Sequence, residues 1–332
     1  MKNLSIIGGG SWGTALGIAL APRFPQVKLW VYEDDLAERI RRSRVNDVYL
    51  PGFALPGNVE AESDLGAALE GAEIVLSVVP SHVTRELYRR MLPHLRPGMC
   101  FVSATKGLEN GSLLRMSEVI REVVAPAFEP QVAVISGPTF AREVAAGEPT
   151  ALVVASERGE LAAEVQAAFA GPAFRLYTSS DPTGVEIGGA IKNVVAIGAG
   201  VLHGMGLGHN AMAALITRGL AEMARLAAAM GAQSRTLAGL AGLGDLVLTC
   251  NGELSRNRTV GIELARGRNL EEIVASMRMV AEGIKTTNAA VELAGRHGIE
   301  MPIAAQMYKM LHHGISPREA IRSLMDRSLK DE

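Results

Sequence analysis

Short runs rich in Val, Ile and Leu alternate with longer helical patterns through the first half of the chain. Residues 4–7, 27–31, 74–79, 100–103 and 132–135 are apolar runs of strand length. Between them, residues 14–21 and 113–124, for example, space their apolar positions as one face of a helix does. Runs that are apolar at successive positions predict strands buried on both faces. Their alternation with helices predicts an α/β fold with a mostly parallel sheet and helices on both faces. Residues 151–155 and 174–177 extend that sheet. Ser179-Ser180-Asp181-Pro182 then reads as a cap and a first helical turn. Beyond Pro182 the strand patterns stop, and residues 183–202, 212–230, 259–266, 270–277, 286–297 and 303–312 are helical in pattern. The expected organisation is a sheet domain, residues 1–182, followed by an all-α domain, residues 183–332.

The length of 332 residues suits two domains of about 150 residues each. Apolar residues at 48% and charged residues at 20% supply a sizeable core and exclude wholesale disorder. Aromatics are only 4% while 36 residues are glycine, which favours elements packed closely through small residues over an aromatic-rich β-sandwich. Lys plus Arg total 33 against 35 Asp plus Glu, so no broad positive field exists to hold nucleic acid or an anionic membrane. Cys100 and Cys250 make no disulfide framework, and no His/Cys/Asp cluster has metal-ligand spacing. A reduced, cytoplasmic, metal-free protein is expected. Two segments mimic membrane signals. Residues 1–21 carry an apolar stretch, but Gly8, Gly9, Gly10 and Gly13 break it. Residues 194–217 lack Asp, Glu, Lys and Arg, yet hold Gly198, Gly200, Gly204, His203, His209 and Asn210. They read as a buried core helix followed by a turn, with no membrane insertion.

Gly8-Gly9-Gly10-Ser11-Trp12-Gly13 joins the strand at 4–7 to an Ala-rich helix. This is G-x-G-x-x-G in the strand–turn–helix context of a Rossmann-type dinucleotide-binding unit. Gly8 allows the tight turn, Gly10 lets a pyrophosphate approach the backbone, and Gly13 lets the helix pack on the strand. The helix N-terminus supplies free N–H groups to the same pyrophosphate. The stretch also fits the G-x-S-x-G elbow of an esterase with Ser11 as nucleophile. Only ten residues precede Ser11, too few for the strands and oxyanion-hole loop such an elbow needs. At the end of the second strand, Tyr32-Glu33-Asp34-Asp35 places carboxylates where an adenosine ribose binds, although Asp34 and Asp35 serve equally as caps of the next helix.

Val79-Pro80-Ser81-His82, Ser103-Ala104-Thr105-Lys106-Gly107-Leu108-Glu109 and Ser136-Gly137-Pro138-Thr139-Phe140-Ala141 each follow a predicted strand, at the edge where ligands bind in open α/β sheets. The helical part carries Gly189-Ala190-Ile191-Lys192-Asn193, Gly242-Leu243-Gly244-Asp245, Ser255-Arg256-Asn257-Arg258 and Ala281-Glu282-Gly283. In content and order these segments resemble the bacterial NAD(P)-dependent sn-glycerol-3-phosphate dehydrogenases, essentially from end to end. The resemblance implies reduction of dihydroxyacetone phosphate to sn-glycerol 3-phosphate for phospholipid synthesis, with NAD or NADP as cofactor and no metal. It is also compatible with a homodimer.

Lys192 stands in an otherwise uncharged, Gly-rich stretch, where desolvation lowers a lysine pKa toward the working range of a proton donor. A lysine whose stem snorkels from a helix end has the same pattern. The resemblance makes Lys192 the general acid/base. Asp245, in a Gly-rich turn before an apolar run, reads by itself as an N-cap; the resemblance makes it a substrate-site residue that binds a hydroxyl or orients Lys192. Ser255, Arg256 and Asn257 open a helix and offer a hydroxyl, a guanidinium and an amide to the substrate phosphate. The plainer reading of Arg256 is a solvated surface arginine.

By the same resemblance, Lys106, Gly137 and Thr139 complete the substrate site from the sheet domain. Ser11 and Trp12, with the motif glycines, line the cofactor; so do Tyr32 and Tyr49 on the adenosine side, and Lys106 and Ala141. Arg256, Val280 and Glu282 reach it from the helical domain. His312 and His313 read as helix-end cations rather than metal ligands. One position departs from the family: Arg or His often stands where this chain has Tyr32, ready to meet the 2′-phosphate of NADP, so a strict NADPH preference is not expected. Two other functions compete. One is an NAD(P)-dependent reductase of a small 2-oxo acid on the same plan; the other is a non-catalytic NAD(P)-binding sensor, which has no need of a proton donor such as Lys192.

Overall fold

The apolar runs form one sheet. In a computed structural model, which describes residues 2–277 and 279–329, the strands are β1 (Leu4–Ile7), β2 (Val27–Trp30), β3 (Val59–Glu62), β4 (Ile74–Ser77), β5 (Cys100–Ser103), β6 (Gln131–Ser136), β7 (Thr150–Ala155) and β8 (Phe174–Ser179). Their order is β3-β2-β1-β4-β5-β6-β7-β8. β1 to β6 run parallel, β7 turns antiparallel to β6, and β8 lies parallel to β7. The sheet grows in both directions from the β1–β4 pair, so a crevice opens beyond the carboxyl ends of those strands.

Between the strands lie α1 (Ser11–Leu20), α2 (Asp34–Ser43), α3 (Leu65–Leu69), α4 (Thr84–Met91), α5 (Met116–Val124), α6 (Ala141–Ala145) and α7 (Gly159–Phe169). Alternation along the strands sorts them onto two faces. Ile74 and Leu76 pack with Leu16 of α1, Ile40 of α2 and Val165 of α7. Val75 and Phe101 point the other way, to Leu69 of α3, Leu87 of α4 and Ile120 of α5. The period-2 pleat thus buries both faces of one sheet. β3 is absent from the sequence-based expectation because it is an edge strand with only Val59 and Ala61 turned inward. The helix expected over residues 113–124 starts at Met116: Leu113 takes φ +64° and Leu108 bridges Arg115, so the chain turns back before the helix begins.

After β8 the chain is helical: α8 (Pro182–Gly204), α9 (His209–Ala229), α10 (Ser234–Leu237), α11 (Asp245–Asn251), α12 (Arg256–Ala265), α13 (Leu270–Ser276), α14 (Glu282–His297), α15 (Pro302–His313) and α16 (Pro317–Met325). Asp181 caps α8 as expected, accepting from the Gly184 amide at 2.8 Å, and it also accepts from Gln233 N and the Thr236 hydroxyl. α8 is the axis of this half. It is long and apolar enough to cross a membrane, but it lies buried inside the protein. Ile191 and Val194 pack against Leu246, Val260, Ala290 and Met307 from four surrounding helices. At the crossing with α12, a Cβ on Gly200 would fall 1.9 Å from the Arg258 carbonyl oxygen, so glycine there permits backbone contact.

Candidate active site

The loops after β5 and β6 meet α8 and α11 over a single carboxylate. Asp245 is fully buried, the first residue of α11. Its side chain does not cap the helix. Oδ1 accepts from the Lys192 ammonium, and Oδ2 accepts from Lys106 Nζ at 2.8 Å. Close approach makes this contact possible: a Cβ on Gly188 of α8 would stand 2.5 Å from the Ala241 carbonyl oxygen, in the turn of π-helical form that leads into α11. Lys192 does not snorkel. Only 4% of it is exposed, and Nζ also donates to Thr249 Oγ1 at 2.7 Å. Lys106 Nζ donates further to the Gly137 carbonyl at 2.8 Å and to Thr139 Oγ1 at 3.1 Å.

Two ammonium groups share one buried carboxylate. Burial pushes Lys192 down to about 7; Asp245 works against this, and the nearby Lys106 adds to it. Lys192 therefore gains or loses a proton near neutrality, as a general acid/base requires. Lys106, Gly137, Thr139, Lys192 and Asp245, named separately from the sequence, form one constellation. Thr249 went unnoticed, although it follows Asp245 by four residues and so lies one turn along the same helix face.

Along the crevice lies the glycine turn. Gly8 takes φ +127°, and a Cβ there would meet the Val78 carbonyl oxygen at 2.5 Å; one on Gly13 would meet the Gly8 carbonyl oxygen at 1.8 Å. These two let strand, turn and helix close on one another. A Cβ on Gly10 would meet nothing within 4 Å. No side chain caps α1 and no acid stands in its first turn, so open space faces uncapped amides. That arrangement fits a pyrophosphate. Trp12 Nε1, buried beside it, has no hydrogen-bond partner among the described residues. The Ser11 hydroxyl donates to the Tyr49 carbonyl oxygen, not to an imidazole. Asn46, fully buried, ties this loop to the turn by donating to Gly9 O and Thr14 Oγ1.

Beyond β2, Tyr32 is 71% exposed. Glu33 Oε1 accepts from the Tyr49 hydroxyl at 2.6 Å, and that bond, with burial, pushes the phenol up to about 12. Asp34 and Asp35 lie in the first turn of α2 without capping it; Asp35 pairs with Arg39. Arg39 also meets Asp47, while Arg41 and Arg42 both pair with Glu38. Each of these arginines has an acidic partner.

The connection from α13 to α14 brings the remaining positions to the crevice. Met279 Sδ lies 3.0 Å from Ser11 Oγ. Arg256, exposed at the start of α12, donates through Nη1 to the Val280 carbonyl at 2.9 Å. Glu282 is the first residue of α14, but its carboxylate accepts from Ser81 N at 3.0 Å and Ser81 Oγ at 2.7 Å, in the loop after β4. Ala141 opens α6, packed against the core beside α1. Ser255 Oγ caps α12 by accepting from Arg258 N. Asn257 is buried, donating to Asn193 Oδ1 and accepting from Gly283 N, both at 2.9 Å, which joins α8, α12 and α14. Among the described residues, no group of three or more His, Cys, Asp or Glu is placed to hold a metal.

Residues 3–162 match the family described as NAD-dependent glycerol-3-phosphate dehydrogenase N-terminus, and residues 181–322 match its C-terminal counterpart. The chain is 57% identical over 329 residues to the NAD(P)+ glycerol-3-phosphate dehydrogenase of Koribacter versatilis, covering 98% of each chain. It is 54% identical over 330 residues to that of Syntrophotalea carbinolica, covering 99% of each. Among solved structures, the glycerol-3-phosphate dehydrogenase of Coxiella burnetii superposes with a TM-score of 0.94 at 41% identity, over 98% of this chain and 99% of that one. A ketopantoate reductase from Ralstonia eutropha, 20% identical with a TM-score of 0.61, shares the fold alone.

Proposed function

The chain belongs to the NAD-dependent glycerol-3-phosphate dehydrogenase family, and from that premise we propose which of its side chains carry the reaction. It is an NAD(P)-dependent oxidoreductase that interconverts dihydroxyacetone phosphate and sn-glycerol 3-phosphate. A bound nicotinamide dinucleotide supplies a hydride to the carbonyl carbon, or accepts it in the reverse direction. Lys192 delivers a proton to the carbonyl oxygen as negative charge grows there, and takes it back from the hydroxyl during oxidation. The observation that carries this reading is the buried Lys192–Asp245–Lys106 arrangement. Burial and a neighbouring cation loosen the proton on Lys192, while Asp245 keeps it attached until needed.

Lys106 and Thr139 face the substrate from the sheet side. Arg256 binds the phosphate at the mouth of the crevice, and the open amides at α1 receive the pyrophosphate. The dinucleotide-binding unit spans residues 1–182 and the helical unit residues 183–332. The test is Lys192→Ala. Turnover of dihydroxyacetone phosphate should fall roughly a hundredfold or more while NADH affinity barely changes. Near wild-type turnover removes Lys192 from the chemistry. Better turnover of pyruvate or ketopantoate than of dihydroxyacetone phosphate by the unmodified protein overturns the substrate assignment.

A further inference from the structure

Lys106 and Lys192 meet on one carboxylate, and the elements that carry them are joined at a second point. Glu186 precedes Lys192 by six residues on α8, about 9 Å along the helix at 1.5 Å per residue. Its side chain is 4% exposed. Oε2 accepts from Arg115 Nη1 at 2.9 Å and from Ser117 Oγ at 2.6 Å; Oε1 accepts from the Ser117 amide at 2.8 Å. Ser117 lies in the first turn of α5, so a carboxylate from the helical half satisfies an end amide of a helix in the sheet half. The positive end of α5 favours that anion.

Arg115 and Ser117 are the far end of the segment that carries Lys106. After β5 the chain passes through Lys106, then doubles back: Glu109 N donates to Leu114 O at 2.9 Å, and Leu108 bridges Arg115. Arg85 braces the turn by donating from Nε and Nη2 to the Glu109 carboxylate. Arg115 is held in turn by Glu118, which accepts from its backbone N–H and from Nη2. A segment closed in this way moves as a unit, so a shift of Arg115 against α8 is a shift of Lys106 against Lys192.

We propose that Glu186 is a positioning residue: by anchoring the start of α5, and through it the Lys106 segment, to α8, it sets the separation that Asp245 bridges between Lys106 and Lys192. The proposal rests on Lys192 being the proton donor. Lys192 is faced by Asp245 and Cys250 of α11 and by Lys106; Glu186 is faced by Arg115 and, behind it, Glu118. An amide at position 186 loosens the tie between α5 and α8 and leaves Arg115 with Glu118 alone. A slacker Lys192–Asp245 contact favours the neutral lysine, because Asp245 is what holds the proton on Lys192, so the pH at which reduction loses its proton donor moves down.

Glu186→Gln, Glu186→Asp and Ser117→Ala in the full chain test this, through kcat and KM over roughly pH 6 to 9, NADH affinity and thermal unfolding. Glu186→Gln should lower kcat about tenfold, hold NADH affinity within about twofold, and move the midpoint of the reductive limb down by about half a pH unit, with Glu186→Asp recovering part of the loss. A kcat that falls only with the folded fraction, at an unmoved midpoint, overturns the proposal. If Glu186→Gln does not fold, Ser117→Ala decides, since it removes one hydroxyl and no charge: a roughly threefold loss of kcat at unchanged NADH affinity supports the anchor, and wild-type kcat overturns it. Turnover retained by Lys192→Ala sinks the proton-donor reading. Turnover and midpoint retained by Glu186→Gln sink only the anchor.

Discussion

Lys106 Nζ lies 2.8 Å from Asp245 Oδ2, an ion pair between the loop after β5 and the first turn of α11. The other oxygen of that carboxylate holds Lys192, so the charge that pairs with Lys192 also ties the sheet to the helices. With burial lowering Lys192 to about 7, the two directions of the reaction should respond oppositely to pH. Reduction needs the ammonium and slows as pH rises through about 7; oxidation needs the free amine and speeds up over the same range. Asp245→Asn removes the group that holds the proton on Lys192 and leaves Lys106 beside it. Both limbs should move to lower pH, and reduction near neutrality should fall about a hundredfold. Rate profiles in both directions check this; limbs that stay put in Asp245→Asn detach Asp245 from the titration of Lys192.

Arg256 offers a guanidinium at the mouth of the crevice, and Nη1 holds the Val280 carbonyl. Arg256→Ala should cost about 2–3 kcal/mol in kcat/KM for dihydroxyacetone phosphate, the scale of a charge-assisted hydrogen bond whose loss leaves a phosphate unpaired. Activity on unphosphorylated dihydroxyacetone should change far less. Equal losses on the two substrates mean that Arg256 serves the Val280 segment or the cofactor rather than the phosphate.

Tyr32 and Glu33 follow β2, and Arg39, Arg41 and Arg42 of the next helix are paired with Asp35, Asp47 and Glu38. A 2′-phosphate brought there meets carboxylates at a cost on the order of 1 kcal/mol each, whereas a ribose hydroxyl is well served by one. NADH should therefore be used at least as well as NADPH, and Tyr32→Arg should raise the NADPH to NADH ratio of kcat/KM about fivefold or more. A wild-type protein favouring NADPH by roughly tenfold contradicts this.

Glu222 of α9, 3% exposed, accepts the amides of Ile303 at 2.7 Å and Ala304 at 3.2 Å at the start of α15. Burial pushes its carboxyl up to about 7 against the pull of those amides. The folded chain therefore keeps a proton that the unfolded chain gives up above the ordinary value of 4.5. The associated stability is fully present below that pH and is lost as pH rises through about 7, on the order of 3 kcal/mol in all. Glu222→Gln keeps an acceptor but does not titrate. The unfolding temperature of the wild type, measured relative to that variant, should decline between about pH 5 and 8. A constant offset over that range shows that Glu222 does not titrate there.

Much of this was legible along the chain because it is local. Apolar runs made strands, the glycine turn joined β1 to α1, and the loops after β4, β5 and β6 fell at the carboxyl edge, as a parallel sheet requires. Lys192 stood out because it is a charge in a stretch without charges. Periodicity and turn chemistry act over a few residues, so seven of the eight strands, the helical second half and the glycine turn could be read along the chain, while the edge strand β3 could not.

Partners of polar side chains are another matter, since packing brings them from far along the chain. Asp245 read as a helix cap, yet its carboxylate joins Lys106 to Lys192. Glu282, placed on the cofactor by the resemblance, reaches Ser81 of the loop after β4. Asn257, offered to a phosphate by its place at a helix start, is bonded to Asn193 and Gly283. Glu186 and Glu222 carried no local signal at all, because their partners are amides at the ends of other helices. A buried carboxylate must find donors wherever the fold leaves them unsatisfied, and only the tertiary arrangement of helix ends decides where that is.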